Sequence, residues 1–346
     1  MNPELPAGWT LAASAFNWTP DVIRAERTAT DIAVGIVEDG IASTIELEPG
    51  QLWRSFPAPL DREVDELRER LDAAHGRVSI VGASLDDWID TTHHRTDAER
   101  LEFLRPQLQA AHRVGASGVR LPVGQAGRGL LEQILPLLAD LDLVLYEEIQ
   151  GQQSPTSPAT APAIRTIADL DDPHLRLLVD ISMLMPALPP SYLERLDRAG
   201  IPHALLARLE HDWQDPSTGD AVVEHLRSGA VPASIHAMYM NLLVRFGRSP
   251  ASELRDILPL VGAFHLKFWD LDDADARVSA PIRDLGAVLA GTPFMGTLTS
   301  EWGGHEWLEE ADASDMTRRH LALARGALVE GGLVAAGIGR AHHGAQ

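Results

Sequence analysis

Four short segments of this 346-residue chain end an apolar run on a group that can bind a cation or move a proton. Leu145-Tyr146-Glu147-Glu148 closes on two carboxylates and Leu178-Val179-Asp180 on one; Phe264-His265-Leu266-Lys267 carries an imidazole and an amine, and Thr299-Ser300-Glu301 ends on a further acid. Glu147 and Glu148 are adjacent, so strand alternation sends them to opposite sides, and one alone can join Asp180 and His265. Three carboxylates and an imidazole make a hard, oxygen-rich donor set. It suits Mn²⁺ or Mg²⁺, with Co²⁺ next, better than a closed structural zinc site. Four protein ligands leave room in an octahedral shell for two neighbouring substrate oxygens. An ion held this way polarises a carbonyl and steadies an enediolate, while a carboxylate removes the proton beside that carbonyl. Taken singly, each residue has a plainer reading: Asp180 as a cap on backbone amides, His265 as a hydrogen-bonded core residue, Glu301 as a strand-to-loop acid. Four such endings in succession describe groups converging on one mouth of a barrel.

The elements that must position them alternate along the chain. Strands are expected at Trp9–Phe16, Ser43–Leu47, Arg77–Ala83, Gly118–Val123, Leu141–Glu148, Leu175–Met183, Ala263–Trp269 and Gly296–Glu301. Between them lie helical patterns: one from Asp21 after Pro20, one over Leu60–His75 closed by Gly76, and one from Thr96 to Val114. Thr96 and Glu99 form a capping box there, and Pro106 should kink the helix. Alternation of this kind makes a parallel sheet with crossover helices, and eight units close more naturally into a (β/α)8 barrel than into an open doubly wound sheet. The barrel is expected over residues 1–330, with a helical insertion at 211–259 before the seventh strand and a Gly/Ala-rich tail at 331–346 that contains His342 and His343. The insertion reads as packing helices; covering the mouth and forming a subunit contact are its other uses.

Composition narrows the classes further. The chain is 45% hydrophobic, carries a formal charge of −21 and has no cysteine. Disulfides and thiolate metal sites are thereby excluded. A phosphodiester backbone would be repelled over most of such a surface, so nucleic acid is not an expected partner. No apolar run reaches the ~18 residues of a membrane span, and the N-terminus has neither the basic nor the apolar part of a signal peptide, so the expected location is the cytoplasm.

The order Glu148, Asp180, His265, Glu301, set in EIQ, VDIS, HLKFWD and SEWGGH, resembles the xylose-isomerase-like superfamily of sugar isomerases and epimerases. The resemblance runs from about the first strand to Leu328. It implies that Glu148, rather than Glu147, joins Asp180, His265 and Glu301 on the metal, with Glu148 and Glu301 on opposite faces of the sugar as proton acceptor and donor. Gln150 stands where that superfamily commonly has a substrate-contacting histidine, which implies a different substrate or binding mode. More narrowly, IELEPGQLWRSFP, LRLPVGQAG and LYEEIQGQQSP are similar to the large (alpha) subunits of bacterial C-glycoside deglycosidases. That resemblance implies a 3-oxo-glycoside substrate, elimination of the aglycone after loss of the C2 proton, and a small β-rich partner subunit. Barrels of this type often pair through exposed helices, so an oligomer is expected.

Several further residues are candidates at the same mouth. Lys267 lies two residues past His265 on the same strand face, where it could bind a sugar oxygen or neutralise the acids. His305, four residues after Glu301, reads as a proton donor, a partner of the site, or simple loop structure. Arg54 in LWRSFP could meet a substrate oxygen, and Trp269 and Trp302 could wall a sugar or flavonoid face. The glycines of GQAGRG (Gly124, Gly127, Gly129) could cradle an anion, although a tight βα turn explains them as well. Two other function classes fit the barrel: an apurinic-site endonuclease, which would need more strand-end histidines and a basic face, and a non-catalytic barrel that binds sugar or supports a partner.

Overall fold

The computed structural model describes residues 4–336. Eight strands alternate with helices: β1 (Trp9–Ser14), β2 (Thr44–Leu47), β3 (Arg77–Gly82), β4 (Gly118–Pro122), β5 (Val144–Ile149), β6 (Leu175–Asp180), β7 (Val261–Phe268) and β8 (Gly296–Trp302). All pairings are parallel, and β8 closes the sheet on β1, with Leu11 opposite Leu298. The expected barrel is therefore present. Boundaries move by a few residues: β5 begins at Val144 rather than Leu141, and β6 stops at Asp180 rather than Met183.

Alternation along each strand divides the barrel into two cores. Outward-facing Leu145, Leu177, Phe264 and Leu298 pack under the surrounding helices. Inward-facing Ile80, Tyr146, Leu178 and Ala263 form a separate apolar plug inside the barrel. Two residues further along the same strands come Gly82, Glu148, Asp180 and His265. The plug thus fills one layer, and the polar groups form the next layer toward the C-terminal mouth.

The helices follow their local signals. Thr96 caps Asp97–Val114 through a capping box with Glu99, and Gly115 ends it in the left-handed conformation at φ 84°. Pro106 lies inside this helix without ending it. The first helix starts at Thr19 instead of Asp21, because Pro20 is accommodated in its first turn, where a missing N–H costs nothing. A helix at Ala29–Glu38, capped by Thr28 with Asp31, follows it. The last helix, Ala313–Ala335, runs into the expected tail; His342 and His343 lie outside the described residues. No helix among the described residues is long and apolar enough to cross a membrane.

Between β6 and β7 the chain makes a long excursion with a core of its own. Tyr192, Leu196, Leu209, Trp213, Tyr239 and Phe246 pack there together with Trp269 and Trp307 from the loops after β7 and β8. This packing unit begins earlier than residue 211, since Tyr192, Leu196 and Leu205 belong to it. It is stitched to the barrel backbone-to-backbone. Gly247 N–H donates to Ser182 O at 2.8 Å, Gln152 N–H donates to Val244 O at 3.1 Å, and Ser182 Oγ accepts from Gly151 N–H at 2.9 Å. Gly151 has φ 56°, and a Cβ there would sit 2.0 Å from Val244 O. Gly151→Ala is expected to cost roughly 2 kcal/mol or more, through strain and forced separation of the two backbones. Urea unfolding of the variant beside the parent checks this.

Outside the barrel, His320 is fully buried with its ring stacked on Phe268, centroids 3.8 Å apart, and its Nδ1 lies 2.8 Å from Ser300 Oγ. Burial lowers its pKa from 6.5 to about 3. The folded value lies below the unfolded one, so the stability it confers is complete above pH 6.5 and is lost as pH falls toward 3. His320→Asn should show a shallower loss of stability than the parent between about pH 6.5 and 4. Unfolding free energies measured across that range test the slope.

Candidate metal centre

β5, β6, β7 and β8 each deliver one side chain to the same point. One donor atom from each of Glu148, Asp180, His265 and Glu301 lies within 4.8 Å of the others, and all four residues are buried. Register explains the convergence: Asp180 is the direct cross-strand partner of His265, and Lys267 of Glu301. Of the adjacent acids, Glu148 faces inward. Glu147 faces outward, where its Oε2 accepts from Gly124 N–H at 2.9 Å. That amide is consumed within the turn, and Gly124 has φ 75°, so the GQAGRG segment is a tight βα turn here.

His265 Nδ1 stands 2.9 Å from Glu148 Oε1 and 2.6 Å from Glu301 Oε2. Nδ1 and Glu301 Oε2 are both buried, and neither makes a hydrogen bond of good geometry despite their closeness. Unpaired polar atoms facing one another in a protein interior are costly. A cation between them relieves that cost, and carboxylate oxygens with one imidazole nitrogen are the donors a hard divalent ion takes. The residues present therefore fit a divalent metal.

The electrostatics of the four follow from burial set against neighbours. Burial pushes the Asp180 carboxyl up to about 6, against the pull of Lys267. At Glu301 burial also pushes up, but His265 and Lys267 outweigh it and leave the group well below the carboxylate range. Glu148 is likewise lowered, with Arg120 and His265 overcoming burial. Lys267 Nζ donates to Glu301 Oε1 at 2.8 Å. Burial works against its charge, yet Glu301 and Asp180 keep it above its ordinary value.

Three residues absent from the sequence reading complete the centre. Glu46, fully buried on β2, places both carboxylate oxygens 3.0 Å from His265 Nε2. When a cation occupies the quartet, this contact holds the proton on Nε2 and frees the Nδ1 lone pair for the ion. Without one, burial works against the charge, yet the surrounding carboxylates hold the imidazole protonated. Arg120 on β4 donates from Nε to Glu46 Oε1 at 2.9 Å and from Nη1 to Glu148 Oε2 at 2.8 Å, and its Nη2 pairs with Glu48. One guanidinium thus holds three carboxylates.

Above the quartet opens a cavity of about 720 Å³. Gln150, Lys267 and Trp269 line it, as do Phe16, Glu48 and Arg120, while Leu243, Val244 and Arg245 of the excursion roof one side. Three expected site residues are placed elsewhere. Trp302 directly follows inward-facing Glu301 and so faces out: it is fully buried, and its Nε1 donates to Trp269 O at 2.8 Å. Arg54 is exposed and off the cavity, because the short helix Pro49–Leu52 carries the chain away after β2. His305 lies behind the wall, its ring 4.8 Å from that of Phe16 and 5.6 Å from that of Trp302. Burial and then Lys267 lower its pKa to about 4, so it is neutral near pH 7.

The chain is a closed parallel (β/α)8 barrel with a candidate metal centre at its C-terminal mouth. The chain superimposes on D-psicose 3-epimerase with a TM-score of 0.57 at 12% identity, covering 92% of this chain and 99% of that one. It superimposes on a xylose isomerase domain protein from Planctomyces limnophilus with a TM-score of 0.51 at 14% identity, covering 97% and 100%. In sequence it is similar to the C-glycoside deglycosidase alpha subunit of Arthrobacter globiformis, 26% identical over 331 residues, which is 94% of each chain. It is also similar to the 3'-dehydrocarminate deglycosidase alpha subunit of a Microbacterium species, 25% identical over 328 residues, 91% of this chain and 94% of that one. No family model matches the chain.

Asp180→Asn and His265→Ala are expected to abolish binding of added Mn²⁺ with the barrel still folded, and Glu46→Gln to weaken it by about 10–100-fold. Calorimetric titration with circular dichroism on the same samples measures both properties.

Proposed function

We propose that this chain is a divalent-metal-dependent sugar-active enzyme that removes the proton beside a carbonyl. Its specific reaction is elimination of the aglycone from a 3-oxo-glucoside, as the alpha subunit of a C-glycoside deglycosidase. The carrying observation is the buried quartet Glu148, Asp180, His265 and Glu301, whose donor atoms converge within 4.8 Å at the floor of the cavity. Similarity over nearly the whole chain to proteins named as deglycosidase alpha subunits supports the specific reaction and a small partner subunit. The cavity volume, about 720 Å³, is large enough to take a glycoside with its aglycone.

The metal, Mn²⁺ in this reading, supplies Lewis-acid polarisation of the sugar carbonyl when bound. The protein does the rest. A 3-oxo group acidifies the C2 proton, and a quartet carboxylate, Glu148 or Glu301, is placed to take it. Lys267 remains protonated and offers charge to the developing oxyanion. Gln150 and Trp269 contact the substrate, and Leu243 and Val244 give the aglycone an apolar surface. His305, Arg54 and Trp302 lie off the cavity and are not assigned a contact.

Isomerisation or epimerisation of a free ketose is the second reading, since it shares the proton abstraction and the enediolate; the epimerase that superimposes on this fold supports it. NMR in D₂O with Mn²⁺, a ketohexose panel and a 3-oxo-C-glucoside separates the two, run with and without any small subunit encoded nearby. Chelation-sensitive aglycone release is the expected outcome. Deuterium entering a free sugar, with interconversion of isomers and no aglycone release, would establish the second reading instead.

A further inference from the structure

Elimination consumes one proton as well as releasing one, because the departing aglycone carbon must be protonated. Among the ionisable side chains that line the cavity, Glu148, Asp180 and Glu301 belong to the quartet, Arg120 and Arg245 are permanently charged, and, against the pull of burial, Glu301 and Asp180 hold Lys267 protonated above its ordinary range. Glu48 remains. It continues the inward face of β2 two residues beyond Glu46, and its side chain keeps 24% of its surface exposed where Glu46 keeps none. Gly82 on the neighbouring strand makes room for it: a Cβ at that position would stand 2.8 Å from Glu48 Oε2.

We propose that Glu48 is the catalytic acid that protonates the departing aglycone; this rests on the deglycosidase reading above. A quartet carboxylate takes the C2 proton, and the C2–H electron pair becomes the C1=C2 double bond conjugated with the C3 carbonyl. The C1–aglycone bond breaks, its electron pair stays on the aglycone carbon, and that carbon takes the proton of Glu48. One proton is accepted, one is donated, and no oxidant or reductant is needed.

The surroundings suit this task. Arg120 on β4 is divided among Glu46, Glu48 and Glu148, and Glu148 on β5 and Glu301 on β8 add negative charge across the mouth. Burial, partly countered by Arg120, brings the Glu48 carboxyl up to about 7, where an acid gives and regains a proton most readily.

The test uses the chain with its partner subunit and Mn²⁺, and compares the parent with Glu48→Gln and Glu48→Asp. Three quantities are followed: deuterium exchange at C2 of a 3-oxo-C-glucoside, aglycone release, and release of nitrophenol from a 3-oxo-O-glucoside, whose leaving group needs no proton. Glu48→Gln, assayed at saturating Mn²⁺, should retain C2 exchange and nitrophenol release, while aglycone release falls by roughly 10²-fold or more and loses its decline above about pH 7. Glu48→Asp should recover part of the release. If exchange and both releases fall together, or aglycone release is unchanged, Glu48 is not the acid. If the parent itself neither exchanges deuterium nor releases aglycone, the deglycosidase reading falls and this assignment falls with it.

Discussion

Five carboxylates share one barrel mouth, and balancing their charge is the constraint on which the rest of the centre depends. Glu46, Glu48, Glu148, Asp180 and Glu301 face Arg120 and Lys267, with the His265 imidazole among them. Like charges this close cannot all stay ionised in a low-dielectric interior unless positive charge is placed among them. Arg120 and Lys267 therefore act as fixed counterweights, and the residual negative charge suits the quartet to a cation. Substrate chemistry inherits the same balance, since every proton moved changes it.

The scaffold meets the constraint through layering. An apolar plug of Ile80, Tyr146, Leu178 and Ala263 fills the barrel beneath the polar layer and separates the charges from its far end. The excursion between β6 and β7 then builds a second apolar core beside the mouth and brings Leu243 and Val244 over the cavity. Position in the fold, more than residue type, separates Glu147 from Glu148: one residue of register places the first against a backbone amide and the second in the charge cluster.

Much of this was legible in the sequence because β5 to β8 carry their polar groups at the ends of apolar runs, where alternation and barrel closure determine direction. Glu46, Glu48 and Arg120 were less legible. Each is a lone charge in or just beyond a short strand, and their significance depends on contacts across 72 or 74 residues that appear when the barrel closes. Glu46 in particular sits in a strand of four residues, too short for its alternation to stand out. Trp302 could have been placed correctly, because a residue directly after inward-facing Glu301 must face the opposite side. His305 and Arg54 lie in loops whose course no periodicity specifies, and their proximity in sequence to strand ends was a poor guide to proximity in space.

The backbone stitching at Gly151 and Gly247 has an evolutionary consequence. The roof is fastened through main-chain atoms to the loops after the two strands bearing Glu148 and Asp180, so this part of its hold does not depend on which side chains occupy positions 243 and 244, whereas Arg245 adds a side-chain tie to Glu306. Positions 243 and 244 can drift under selection for different molecules while the quartet beneath keeps its place. A lineage built on this scaffold can diversify in what it accepts without first relearning how to react.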